Sequence, residues 1–386
     1  MGETDYMKLA LKLAKKGWGW TRPNPMVGAV IVKEGRIIGQ GWHEKFGYAH
    51  GERNALDSCT ETPEGATMYV TLEPCCHYGK QPPCVEAILK AGIRRVVTGS
   101  DDPNPLVMGR GIQILRDHGI EVTEHVLKEE CDQINEVFFH YIQTKRPFVT
   151  MKYAMTMDGK IAAYSGKSKW ITGEEAREHV HRQRHGNMAI MAGVGTVLKD
   201  DPLLTCRILG GRNPIRIICD TNLRTPLTAQ VVATAKEVPT VLATCCTDRE
   251  RQSLYERAGC RILPVAREMS LEERQYLKRE TPEKGKCGHV DLVQLMERLG
   301  QEQIDSILLE GGGTLNWAAL RSGIVQKVQA YVAPKLLGGK EAKTPVEGEG
   351  AWSPQTGFLL KNSVVTQLGQ DFLIESEVDW DVYRNH

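Results

Sequence analysis

Residues 72–84 read LEPCCHYGKQPPC, and residues 48–56, a little upstream, read YAHGERNAL. The first stretch holds Cys75, Cys76, His77 and Cys84; the second sets His50 and Glu52 one residue apart at the start of an expected helix. Thiolate and imidazole are zinc ligands, and a catalytic zinc takes three protein ligands and leaves its fourth position to water. Vicinal side chains point apart in most backbone conformations, so only one of Cys75 and Cys76 is expected to face an ion. Cys84 opens the helical pattern PPCVEAILKAG, where Pro83 suits the first turn and the helix dipole favours a thiolate. On these residues alone two plainer readings stay open: a structural Cys3His zinc site, or buried thiols. Cys245-Cys246 is read as a pair of plain thiols.

Around these segments the apolar runs VGAVIV, RIIGQGW, ATMYVTL, RRVVTGS and IEVTEHV alternate with the helical patterns YMKLALKLAKK, GERNALDSC, CVEAILKAG and GIQILRDHG. Such alternation predicts an α/β layered domain with a largely parallel sheet over residues 1–146. After Pro147 the rhythm restarts with FVTMKYAMT, MAIMAG, PIRIICD, PTVLATC, IDSILLEGG and KVQAYVAP, so a second α/β domain is expected over 147–386. Thr172 with Glu175 spells a capping box, which predicts a helix from about Gly173 to His185. Residues 266–288, dense in charge, are read as a solvated connection with some helix.

With 386 residues, 41% hydrophobic and 25% charged, each half can bury a core. A net charge of +1 gives no electrostatic basis for a nucleic-acid or anionic-membrane partner. No apolar run approaches the ~20 residues of a membrane span. The start, MGETDYMKLALKLAKKGWGW, has acids before its apolar stretch and reads as an amphipathic helix rather than a signal peptide. Eleven cysteines, an odd number, fit a reducing compartment better than a disulfide framework. The expectation is a cytoplasmic protein with a small-molecule substrate, no nucleic acid and no membrane.

The order His-x-Glu, Pro-Cys, then a further Cys is that of zinc deaminases. Their chemistry needs a carboxylate that is not a ligand to carry a proton from water to the leaving amine, and Glu52 stands where it can do so. The general spacing is Pro-Cys-x-x-Cys; here eight residues separate Cys75 from Cys84, and the short spacing lands on Tyr78. With RPNPMVGAVIV and DDPNPLVMGRG, this longer spacing closely resembles the deaminase half of the bifunctional riboflavin-biosynthesis deaminase/reductase family. The resemblance implies a three-layer cytidine-deaminase-like fold, with His50, Cys75 and Cys84 as zinc ligands and Glu52 as proton shuttle. It also places Asn24, Lys80, Asp102 and Asn104 in loops lining the pyrimidine and ribose-phosphate pocket, with His77 in the pocket wall. Cys76 stands where the family commonly has a small hydroxyl residue, and Gly51 where it usually has alanine. Glycine lowers helix propensity by up to ~1 kcal/mol, so a slightly looser site is expected there.

In the second half, GVGTVLKDDP has Gly193 and Gly195 but Leu198 where a dinucleotide fingerprint wants its third glycine. IDSILLEGGGTLNWAAL runs an apolar strand into Glu310-Gly311-Gly312-Gly313 and a helix, an arrangement that lets backbone N–H groups meet phosphate; a tight turn is the plainer alternative. His179, His181 and His185 lack metalloprotease spacing and read as surface or pocket histidines. Together these segments resemble the reductase half of the same family, whose α/β fold is like dihydrofolate reductase. The resemblance implies NADPH contacts at Ala154, Trp170, Thr196, Asp200 and Thr221, with Gly312, Gly313 and Thr314 at its phosphates. Substrate contacts are implied at Ser168, Arg184, Leu204, Arg207 and Glu310; Lys152 and Asp158 also fit the pattern. Arg184 and Arg207 have a physical rationale, since a ribose phosphate suits planar, forked donors. Trp170 reads equally well as a core aromatic.

The implied activity has two steps. Zinc-dependent hydrolysis deaminates 2,5-diamino-6-(5-phosphoribosylamino)pyrimidin-4-one, and NADPH then reduces the ribosyl side chain to ribityl, in an expected homo-oligomer. Two rivals belong to other classes. A nucleic-acid base deaminase with an accessory binding domain is opposed by the neutral charge. A non-enzymatic zinc-stabilised scaffold would lose its fold on chelation.

Overall fold

Strand β1 (Gly28–Lys33) and strand β2 (Arg36–Trp42) are joined by Glu34 and Gly35, whose φ angles of 49° and 73° make a two-residue hairpin turn. The turn reverses the chain. In the computed structural model, which describes residues 1–268 and 288–381, the chain forms two compact units, Met1–Lys145 and Arg146–His386. The first carries a five-stranded sheet completed by β3 (Thr67–Leu72), β4 (Arg95–Ser100) and β5 (Glu121–Thr123), in the order β2-β1-β3-β4-β5. Only β3-β4-β5 run parallel; β2-β1-β3 are antiparallel. The sheet is therefore mixed rather than largely parallel, because the hairpin at Glu34-Gly35 replaces a crossover.

Both faces of this sheet are buried. Ala29, Ile31, Met68 and Val70 pack with Ala55, Ile88 and Leu115 from the helices Gly51–Asp57, Cys84–Lys90 and Arg110–Asp117. Val30, Val32, Tyr69 and Val97, one residue out of phase, pack against Tyr6, Met7, Ala10 and Leu11 of helix Glu3–Ala14. Alternate side chains of a strand point to opposite faces, so these two sets give three layers.

Among the described residues the second unit carries nine strands: β6 (Phe148–Thr156), β7 (Ala189–Gly193), β8 (Ile215–Cys219), β9 (Thr240–Thr244), β10 (Arg261–Pro264), β11 (Ser306–Leu309), β12 (Lys327–Ala333), β13 (Leu360–Leu368) and β14 (Asp371–Val378). Their order is β10-β9-β8-β7-β11-β6-β12-β14-β13, parallel from β10 to β12 and antiparallel in the last two pairings. The terminal hairpin escapes the sequence reading because β13 is an edge strand. Val364 and Val365 are both exposed, at 57% and 62%, so no apolar alternation marks it.

The helix expected from Gly173 runs Glu174–Gly186, but its capping box does not form: Gly173 is the N-cap and Thr172 makes no cap bond. Instead Oδ2 of Asp371, from the start of β14, accepts the Gly173 N–H at 2.6 Å. An anion is favoured at that end of the helix, so the distant carboxylate replaces the local hydroxyl. Of the charged 266–288 segment, residues 269–287 lie outside the described residues; beside them Arg267 bridges Val290. Among the described residues no helix is long and apolar enough to cross a membrane.

Candidate active sites

In the first unit β3 ends at Leu72, and Glu73-Pro74 lead the chain to Cys75. His50 is the N-cap of helix Gly51–Asp57, and Cys84 is the first residue of helix Cys84–Lys90. The His50 Nδ1 and the two Sγ atoms of Cys75 and Cys84 all lie within 4.8 Å of one another, and Nδ1 is 3.5 Å from each sulfur. Bonds of about 2.0–2.1 Å to nitrogen and about 2.3 Å to sulfur at tetrahedral angles put such donors roughly 3.5 Å apart. The three residues fit one zinc ion with a position to spare.

The electrostatics fit too. The Cys84 thiol donates to Cys75 and, against burial and with help from His50 and the Cys84 N–H at 3.3 Å, holds the Cys75 thiol well below the ordinary thiol range. Glu52 sits in the first turn of its helix and is buried, and its Oε2 has no hydrogen-bond partner. Burial, then the Cys75 thiolate, push its carboxyl up to about 7. A carboxyl that titrates near neutrality is matched to taking and returning a proton.

Asn24 connects to this cluster through His43. Its Nδ2 lies 3.2 Å from His43 Nε2, while His43 Nδ1 lies 3.0 Å from the carbonyl of Ala49, the residue before His50. Burial holds His43 down at about 4, so the neutral ring donates from Nδ1 and accepts at Nε2. Asp102 is buried, accepts the Asn104 N–H at 2.8 Å, and is raised by burial to about 7. Lys80 is exposed with its ammonium 3.9 Å from the Phe46 ring centre, and its neighbour Gln81 donates to the Gly47 carbonyl. Cys76 turns to the Leu106 carbonyl, 3.5 Å away, and with His77 stays outside the donor cluster.

In the second unit, parallel strands β8, β7 and β11 lie side by side, and a cavity of about 400 Å³ is bordered by residues at their C-terminal ends. Helices Val194–Asp200 and Gly313–Arg321 start there, behind the N-caps Gly193 and Gly312. Thr196, Asp200, Thr221, Gly312, Gly313 and Thr314 line it. Crevices beyond the carboxyl ends of parallel strands are the usual ligand sites of α/β sheets. A second cavity of about 260 Å³ takes in Ala154, Trp170, Arg184, Arg207 and Glu310 with Lys152 and His181; Ser168 and Ile161 border both.

At the base of the second cavity Arg184 grips Glu310 with Nε and Nη2, at 2.7 and 2.9 Å, and donates from Nη1 to the Thr205 carbonyl at 2.9 Å. Lys152 Nζ stands 3.6 Å from the same carboxylate. Burial pushes the Glu310 carboxyl up, but Arg184 and Lys152 more than reverse this and hold it at about 2. Burial lowers the Lys152 ammonium. Trp170 is 62% exposed and stacks on the Arg177 guanidinium at 4.7 Å, which excludes the core reading.

A sequence profile described as "RibD C-terminal domain" matches residues 147–374, and one described as "Cytidine and deoxycytidylate deaminase zinc-binding region" matches residues 2–100. The riboflavin biosynthesis protein RibD of Actinobacillus pleuropneumoniae is 52% identical over 375 residues, 97% of this chain and 95% of that protein. The chain belongs to the RibD family. Solved RibD structures agree. That of Acinetobacter baumannii (form 1) has a TM-score of 0.82 at 36% identity, covering 97% of this chain and 98% of its own. The Thermotoga maritima diaminohydroxyphosphoribosylaminopyrimidine deaminase/5-amino-6-(5-phosphoribosylamino)uracil reductase gives 0.80 at 36% identity, with the same coverage. As a RibD-family member this chain is a bifunctional deaminase and reductase of riboflavin biosynthesis. Its first domain is cytidine-deaminase-like and zinc-binding, and its reductase domain uses a pyridine nucleotide.

Several features of this RibD-family chain differ from the sequence reading or were invisible to it. Gly51 does not loosen the site: a Cβ there would stand 2.7 Å from the Val27 carbonyl oxygen, so glycine lets the His50–Glu52 helix start sit close against the chain leading into β1. The forked donors of Arg184 face Glu310 and the Thr205 carbonyl rather than open space, whereas Arg207 is exposed. Leu204 lines neither cavity; its side chain is buried among Ile190, Val197 and Leu223. Ala154 and Trp170 fall in the smaller cavity, apart from the other expected cofactor contacts. The three histidines do not converge: His179 meets the Tyr331 hydroxyl, His181 lines the smaller cavity, and His185 accepts the Arg212 N–H. Asp158 accepts from Thr156 and from the Leu337 and Gly338 N–H groups, and so ties two loops together. His43 carries no sequence signal of its position between Asn24 and the Ala49 carbonyl.

Proposed function

We propose that the first unit hydrolytically deaminates 2,5-diamino-6-(5-phosphoribosylamino)pyrimidin-4-one and that the second reduces the ribosyl side chain of the product to ribityl with NADPH. The observation that carries the first half is the three-donor cluster beside the buried, partnerless oxygen of Glu52. His50, Cys75 and Cys84 would hold the zinc, whose Lewis acidity would ease loss of a proton from water. Glu52 takes that proton and returns it to the departing amine, which leaves as ammonia. Asn24, fixed by His43, and the loop carrying Asp102 and Asn104 hold the pyrimidine, and the Lys80 ammonium meets the ribose phosphate.

For the second half, two helix starts bordering one cavity support NADPH phosphates at Gly312, Gly313 and Thr314, with Thr196, Asp200 and Thr221 along the cofactor. Ala154 and Trp170 reach it from the adjoining cavity. NADPH, when held there, would supply the hydride needed at the ribose carbon attached to nitrogen. As that carbon's bond to the ring oxygen breaks, the oxygen needs a proton, which Lys152, lining the smaller cavity, would give. Glu310, kept ionised by Arg184 and Lys152, accepts from ribose hydroxyls; Ser168 and Arg207 meet the phosphate, and Leu204 contributes only through its backbone. The enzyme is further proposed to work as a cytoplasmic homo-oligomer, for which the edge strand β13 offers exposed apolar side chains on its two faces, Leu360, Val364 and Val365; light scattering would test it.

Glu52→Gln tests the two-site reading. It should abolish ammonia release, retain zinc, and leave reduction of the deaminated intermediate intact. Equal loss of both activities would contradict it.

A further inference from the structure

The Glu73 carboxylate has no part in the chemistry above, yet it is buried and surrounded by backbone donors. Its Oε2 accepts from the N–H of Gly109 at 3.0 Å and of Asp102 at 3.5 Å; its Oε1 accepts from Gly111 at 3.0 Å and Ile112 at 3.3 Å. These amides stand at the two ends of one loop. Asp102 opens it after β4, and Gly109 closes it as the N-cap of helix Arg110–Asp117. Within it Asp102 accepts from the Asn104 N–H at 2.8 Å, and Asn104 Oδ1 accepts from Leu106 at 3.1 Å. The helix has no side-chain cap of its own, so Glu73 takes that place from 36 residues away, where an anion is favoured. The approach is close: a Cβ on Gly111 would stand 2.1 Å from the Pro74 carbonyl oxygen. Cys76 meets the Leu106 carbonyl of the same loop. One side chain thus ties the turn that carries Cys75 to both ends of the loop that carries Asp102 and Asn104.

We propose that Glu73 is a positioning residue that sets the separation between the metal-binding turn and the substrate-binding loop of the deaminase. The proposal rests on the substrate role given above to Asp102 and Asn104. Glutamine at this place keeps the size but turns an amide N–H₂ against two of the four backbone donors, releasing either Asp102 and Gly109 or Gly111 and Ile112.

Glu73→Gln should therefore raise the deaminase KM about tenfold or more with a smaller change in kcat, since the charge-assisted bonds to one carboxylate oxygen are lost. Zinc content and reductase kcat/KM should stay unchanged. In the wild-type enzyme, hydrogen exchange at Asp102, Gly109, Gly111 and Ile112 should be slow, and in the variant the pair that faces the amide N–H₂ should lose protection together. Asn104→Ala separates the proposal from the reading beneath it. If Asn104→Ala leaves KM unaltered, the substrate role of the loop fails. If it raises KM and Glu73→Gln does not, the tie alone is refuted. A kcat loss that follows zinc loss at constant KM would also overturn it. Should Glu73→Gln not fold, fast exchange of those four amides in the wild-type enzyme is enough to refute the tie.

Discussion

Glu310→Gln leaves the Arg184 and Lys152 cations facing each other in a site where their side chains are only 12% and 14% exposed. Held at about 2 instead of the ordinary 4.5, the Glu310 carboxyl contributes about 3 kcal/mol to the folded state at neutral pH. Losing one partner of a buried ion pair costs a similar amount, about 3–5 kcal/mol. At roughly 2–4 °C per kcal/mol for a unit of this size, the melting temperature of the second unit should fall by roughly 6–12 °C. The pH dependence has a definite sign. The carboxyl titrates lower in the folded state than in the unfolded one, so its contribution is complete above about pH 4.5 and disappears as pH falls toward 2. The gap between wild type and variant should shrink below pH 4.5, to about half by pH 3. Calorimetric melts of both proteins at pH 7, 5 and 3 measure it. A gap below about 2 °C at pH 7, or one that stays constant down to pH 3, would refute the ion-pair reasoning.

Cys84→Ser should reduce bound zinc from one per chain to near zero by metal analysis and abolish ammonia release, while reduction of the deaminated intermediate continues; retained zinc would show that the cluster is not its site. Gly313→Ala puts a Cβ 2.8 Å from the Thr344 carbonyl oxygen and 2.4 Å from Glu347 Cγ, at the helix start that borders the larger cavity. NADPH binding, followed by fluorescence, should weaken by about tenfold with deamination unchanged, since the helix start must shift by more than a hydrogen bond tolerates. Unaltered NADPH affinity would move the phosphates elsewhere.

Chemistry that depends on residue type at short spacing is legible in this sequence. His50 and Glu52 fall on one helix start, and Cys75 and Cys84 bracket a loop whose return is marked by Pro82-Pro83. Tertiary substitution is what escapes. Thr172 looks like a helix cap until Asp371, 198 residues beyond Gly173, takes the position. His43 and Glu73 work through backbone groups 6 and 36 residues away, and no local pattern announces such a partner. Arg184 and Arg207 look alike in sequence; only the folded geometry shows that Glu310 occupies the first. The mixed first sheet was hidden in KEGR, because a two-residue turn at Glu34-Gly35 reads as a mere break between runs. The edge strand β13 has little burial and therefore no period to detect.

The most direct test of two separate chemistries in one chain is to give the purified enzyme the diaminopyrimidine ribosylamino phosphate with and without NADPH, following ammonia and NADPH oxidation together. Ammonia should appear at the same rate in both cases, and NADPH should be consumed only after deaminated intermediate has formed. NADPH oxidation without ammonia release, or ammonia release that requires NADPH, would contradict the assignment of one step to each unit.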